Sequence, residues 1–119
     1  MGDRGNIKTV SQENQGGIYF YTHWTGSDLP ETLRQALIRG RGRWDDEPCL
    51  NRIIFSQMIK DGVLDETGFG ISADICDNEH PIITVDCSAQ TVSFERGQTW
   101  SFEEYIKEPR SFYSEEEEN

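Results

Sequence analysis

Apolar and polar positions recur along this chain with two periods, which resolve it into short strands and helices. Residues 7–10, Ile-Lys-Thr-Val, alternate briefly. After the polar, glycine-ended linker SQENQGG, residues 18–24 mix β-branched and aromatic types, a composition suited to a pleated strand. Ile18, Phe20, Thr22 and Trp24 then share one side, and Tyr19, Tyr21 and His23 the other. Two strand signals around such a linker predict a β-hairpin. Lys8 and its polar neighbours place the first strand at a sheet edge. The second is expected to be central, with a core behind it and its other face covered by helices or lining a groove.

The period then becomes helical. Leu29, Leu33, Ala36 and Leu37 form one apolar stripe, preceded by Asp28 as a cap and Pro30 in the first turn, so a helix is predicted over 29–39. Gly40 and Gly42 end it. Asp45-Asp46-Glu47-Pro48 repeats the start chemistry for a helix over about 46–61. Its stripe of Leu50, Ile53, Ile54 and Met58, widened by Phe55 and Ile59, predicts the more buried of the two helices. Gly62 is the expected left-handed cap.

Alternation returns with Phe69, Ile71, Ala73 and Ile75, which predict a strand with one buried face. Strands over 82–87 and 91–95 follow across short turns and complete a three-stranded meander. Ser101-Phe-Glu-Glu104 is a capping box for a short helix to about 107, stopped by Pro109. The order ββ-αα-βββ-α predicts an α+β fold: an antiparallel sheet of about five strands with helices packed on one face. Residues 1–109 form the single domain, and 110–119 an acidic mobile tail.

Charge narrows the partners. The chain carries 22 acids against 11 bases, a net −11, which is still −7 without the four glutamates at 115–118. Such a field disfavours direct nucleic-acid or anionic-membrane binding and suits a basic partner. Six Phe, three Trp and four Tyr supply the large side chains a folded core needs. Cys49, Cys76 and Cys87 show no CxxC spacing, and the polar start MGDRGNIKTV has neither a leader-like apolar run nor the Ser or Thr of a myristoylation signal. A cytoplasmic protein with reduced thiols is the expectation.

Three constellations could do chemistry. Arg39-Gly-Arg41-Gly-Arg43 sets three guanidinium forks on a glycine connection, suited to phosphate or carboxylate, and Arg34 and Arg52 lie nearby. Pairing of these arginines with Asp45, Asp46 and Glu47 is the plainer account. Tyr21, His23 and Trp24, with Tyr19, could form an aromatic wall for a ligand, or His23 could be a hydrogen-bonded strand residue. Asp77-Asn78-Glu79-His80 could join His23, Asp45 and Asp46 around a divalent ion, but matches no EF-hand, zinc-finger or HExxH spacing and reads equally as a polar turn before Pro81. There is no P-loop, GxGxxG or nucleophile elbow, so no cofactor or resident metal is expected.

The pattern Tyr19-x-Tyr21-x-His23-Trp24-x-Gly26, followed by Leu29, Pro30 and a helix, resembles that of small uncharacterised proteins of bacteria and their phages. Residues 77–85 and the hairpin after them extend the likeness over about 5–95. The resemblance implies a phage or prophage setting, in which small acidic chains neutralise host proteins or sequester nucleotides. The leading expectation is a non-enzymatic binding protein for a host protein or a phosphate-bearing ligand, with Arg39, Arg41, Arg43, Tyr21, His23 and Trp24 as its contacts. An acidic nucleic-acid mimic is the first alternative. A metal-assisted hydrolase using His23, Asp77, Glu79 or His80 is the second. The broad stripe of the second helix allows a homodimer.

Overall fold

In a computed structural model, which describes residues 2–75 and 77–112, the chain forms one mixed sheet with its helices on a single face. Cys76 and the glutamates at 115–118 lie outside the described residues. The strands are β1 (Gly5–Val10), β2 (Ile18–Thr22), β3 (Phe69–Ser72), β4 (Ile83–Asp86), β5 (Thr91–Phe94) and β6 (Thr99–Ser101). The helices are α1 (Leu29–Arg39), α2 (Glu47–Met58) and α3 (Phe102–Tyr105).

The α+β class holds, but the sheet is neither five-stranded nor wholly antiparallel. Its order is β3-β2-β1-β4-β5-β6, with β1 and β4 parallel. β1 is therefore central, not an edge. Ile7 and Thr9 are buried, while Lys8 reaches the open face and sets its ammonium 5.4 Å from the Tyr19 ring centre. A lysine that can extend over an aromatic ring does not require an edge position. The expected meander is also redrawn. β3 leaves β4 to pair with β2 at the far edge, and β6 takes its place beside β5.

Register aligns one apolar row across the sheet: Phe94, Ile83, Ile7, Phe20 and Ile71 are successive partners. Against this face pack the α1 stripe of Leu29, Leu33, Ala36 and Leu37, all fully buried, and Leu50, Ile54 and Met58 of α2. With Pro30, α1 buries five residues against three for α2, the reverse of the expected ranking. Phe55 does meet Phe20, but Ile53 and Ile59 are only partly covered.

Local signals succeed where their partner is local. The Asp46 carboxylate accepts from the Cys49 N–H at the start of α2, and Ser101 and Glu104 form the full capping box. Asp28 does not cap; residues Gly26–Asp28 form a 3-10 turn that runs into α1. Gly62 is not in the left-handed region either, since α2 stops at Met58 and Ile59 bonds back to Phe55. The stretch read as a tail from 110 begins in contact with the body. Arg110 donates to the Tyr105 carbonyl and lies 4.8 Å from the Trp100 ring centre, and Phe112 stacks on His80.

Candidate functional site

The two halves of the expected ligand site lie at opposite ends of α1. Tyr21, His23 and Trp24 precede its N-terminus, whereas Arg39, Arg41 and Arg43 follow its C-terminus. Eleven helical residues separate them by about 16 Å. They do not converge.

The arginine segment is ordered locally. Residues Arg41–Arg43 form a 3-10 turn instead of a glycine-loosened connection. Arg39 donates to the Gln57 side chain at 2.6 Å. Arg41 pairs with Glu103 and stacks 5.1 Å from the Trp44 ring centre. Trp44 is itself anchored, its indole N–H reaching the Leu37 carbonyl at 3.0 Å and its ring meeting Phe102 edge-on. Among the described residues no ion pair joins Arg41 or Arg43 to Asp45, Asp46 or Glu47. Arg43 is exposed and makes no ion pair there. The segment thus offers one uncommitted guanidinium and one in an exposed pair of modest strength.

The aromatic group builds a corner. The Tyr21 hydroxyl lies 2.9 Å from His23 Nδ1, and His23 meets Trp24 edge-on at 4.4 Å. The His23 N–H bonds to Gly68 and its carbonyl accepts from Asp3. Trp24 lies over Gly68, whose φ of +100° and missing Cβ permit the close approach. Trp24 still leaves 54% of its surface exposed.

Asp3, which carries no sequence signal of its own, joins this corner to the 77–80 turn. Its carboxylate accepts from the Ser27 N–H and from the Ser27 hydroxyl at 2.6 Å, and its other oxygen meets His80 Nε2. Ser27 and His80 thus share the Asp3 carboxylate, which itself accepts the serine hydroxyl, an order different from the Ser–His–Asp relay of a nucleophilic triad. Asp77 and Glu79 are taken by Arg4 at 3.3 and 2.9 Å. Among the described residues no three His, Cys, Asp or Glu side chains gather as a metal site, so His23, Asp77, Glu79 and His80 form no ligand set there.

The Ser27 hydroxyl outweighs burial and, with His80, holds the Asp3 carboxyl below its ordinary 3.8. The Arg4 guanidinium does the same for Glu79, as the Ser101 N–H does for Glu104. For Glu31 burial acts upward, but bonds from Gln35, Arg110 and Arg34 leave it below 4.5. A carboxylate lowered in the folded state stabilises above its unfolded value and loses that contribution as pH falls toward the folded one. We therefore expect the melting temperature to fall between about pH 5 and pH 3. Asp3→Asn should flatten that limb, and a limb unchanged in the variant would remove Asp3 as a cause.

Two open clefts lie elsewhere. One, of about 520 Å³, is lined by Ser11, Gln12, Gln15, Asp86 and Ser88 beside the carboxyl ends of β1 and β4. The other, of about 190 Å³, lies along α1 and includes Glu31, Gln35 and Lys60. None of the six expected contact residues lines either one.

The surface that sequence reasoning missed surrounds β3. The predicted alternation of Phe69, Ile71, Ala73 and Ile75 is real, but its expected buried face is largely uncovered: Ile71 is 59% and Ile75 49% exposed. Leu64 is 92% exposed, Val63 is exposed beside it, and this loop lies against Phe69 through Gly62. Among the described residues, five of the six large exposed hydrophobics lie on β3, in the segments that flank it or, as Trp24, over Gly68, and Ile38 is the sixth. Residues 61–79 contain six acids and no Lys or Arg. Asp61, Asp65, Glu66 and Asp74 among them are exposed and make no ion pair within the described residues. The signal available in sequence was this charge asymmetry against the arginine-rich 34–52.

Compared with known protein families, curated proteins and solved structures, the chain matches none. No helix of the described residues is long and apolar enough to cross a membrane.

Proposed function

We propose that this chain is a non-enzymatic binding module that engages a basic partner protein through the surface around Trp24 and β3. One observation carries the reading: the large exposed apolar side chains concentrate there, in segments whose carboxylates Asp61, Asp65, Glu66 and Asp74 make no ion pair among the described residues. Contiguous apolar surface with a charged rim is the usual composition of a protein-docking site. Of the expected contacts, Trp24 lies within this surface, with His23 and Tyr21 behind it. Arg39, Arg41 and Arg43 lie outside it and remain the contacts of the phosphate-ligand version of the reading. The likeness of the Tyr19 to Gly26 hairpin to small phage proteins makes a bacterial host protein the partner class to screen.

The test is affinity capture from bacterial lysate with the wild type, a Leu64→Ser/Ile75→Ser variant, and an Asp61→Asn/Asp65→Asn/Glu66→Gln variant. Both apolar positions are exposed, so the fold should survive their change. A protein retained by the wild type and lost by at least about tenfold from both variants supports the reading. Retention that ignores the apolar change and follows only the carboxylates would favour the acidic nucleic-acid mimic instead. Retention indifferent to both sets, or no retained protein, overturns it.

A further inference from the structure

We propose that the outer edge of β3 accepts an extended segment of the partner as a seventh strand, and that this segment alternates apolar with basic residues. The inference rests on the partner-binding reading above and specifies how the partner docks. Among the described residues β3 pairs only with β2, so alternate residues along Phe69–Ser72 turn their N–H and C=O groups away from the sheet. Sheets usually protect such an edge with Lys, Pro or a bulge, and Phe-Gly-Ile-Ser contains no Lys or Pro.

The side chains point to the same occupant. The apolar row from Phe94 through Ile83, Ile7 and Phe20 ends at Ile71, which has a neighbour on its inner side alone. A strand added beyond β3 would set an apolar residue next to Ile71 and continue that row by one place. Gly70 and Ser72, on the opposite face, leave room beside the incoming chain, since nothing lies within 4 Å of a Cβ built at Gly70. The segments flanking β3 in sequence carry Asp61, Asp65, Glu66 and Asp74, each exposed and outside any ion pair of the described residues. Lys and Arg stems on the added strand are long enough to reach them. A second copy of this chain would bring the same carboxylates and a net −11 of its own, so like charges oppose that pairing.

The probe is a capped peptide of alternating Lys and Ile, about nine residues long, titrated against the full chain at low salt. Two N-methylated versions, each blocking alternate peptide amides, keep every side chain. In strand addition one set of amides faces β3 and the other faces solvent. We expect the parent peptide to bind, one N-methylated version to bind at least about tenfold more weakly, and the other to match the parent. Bound peptide should slow hydrogen exchange at outward amides of β3, and Ile71→Lys should weaken binding by at least about tenfold with its urea midpoint unchanged. No binding by the parent peptide, equal behaviour of the two N-methylated versions, or unchanged exchange in β3 overturns the proposal. So does a peptide-free dimer already protected at β3, which would assign the edge to a second copy. If strand addition fails while capture still depends on Leu64 and Ile75, the partner-binding reading stands with another docking mode; if both fail, it falls too.

Discussion

Tyr105→Ala should destabilise the fold by about 3–5 kcal/mol, read as a lowered urea midpoint. The expectation is large for a residue on a helix of four. A helix that short contributes little by propensity, and its first turn is already fixed by the Ser101–Glu104 box. What holds it is burial. The Tyr105 ring is fully inaccessible, packs edge-on against Trp100 at 5.3 Å and Phe94 at 6.2 Å, and lies under the Arg110 guanidinium. Its hydroxyl donates to the Pro30 carbonyl at 2.8 Å, tying the end of the chain to the first turn of α1. Burial pushes the phenol well above its ordinary 10, so it remains a donor across the neutral range. Tyr105→Phe removes that bond alone and should cost about 0.5–1.5 kcal/mol, the net worth of one hydrogen bond. If Phe costs as much as Ala, the bond and not the ring holds α3. If Ala costs less than about 1 kcal/mol, α3 is dispensable to the core.

The same contrast explains what could be read from the sequence. The α1 stripe, the Asp46 cap and the capping box were legible because each depends on residues within one or two turns. The strand order was not. Nothing within residues 5–10 announces that β4, more than seventy positions later, will lie parallel beside them, and Lys8 resembles an edge residue until Tyr19 is seen beneath it. β6 was missed because three residues are too few to show a period. The site was legible in part. Trp24 stood out by composition, but Ile71 and Ile75 carry the alternation of a buried face. Only the position of β3, outermost and largely uncovered by the helices, turns that pattern into an exposed surface. Asp3 gave no signal because its partners, Ser27 and His80, are distant in sequence.

Gly26→Ala should cost about 1–3 kcal/mol, and its reason bears on what the Tyr-x-Tyr-x-His-Trp-x-Gly pattern is for. A Cβ at Gly26 would lie 2.7 Å from the Arg4 carbonyl carbon and 2.7 Å from the Asp3 carbonyl oxygen. Those are main-chain atoms of the segment entering β1, so no side chain can rotate aside to relieve the contact. The Gly26 N–H also donates to that Asp3 oxygen at 2.7 Å, and Ser27 next to it holds the Asp3 carboxylate. Displacing the N-terminal segment therefore loosens both clamps together. The variant should lose stability at neutral pH and, with Asp3 released, part of its acid sensitivity as well. Gly42→Ala is the matched control: nothing lies within 4 Å of its added Cβ, and its stability should stay within about 0.5 kcal/mol of the wild type. A Gly26 variant as stable as the control would show that the N-terminal crossing is not close-packed. With the expected loss, the motif separates by role: Tyr21, His23 and Gly26 build the corner, and Trp24, more than half exposed, is the member that packing engages least.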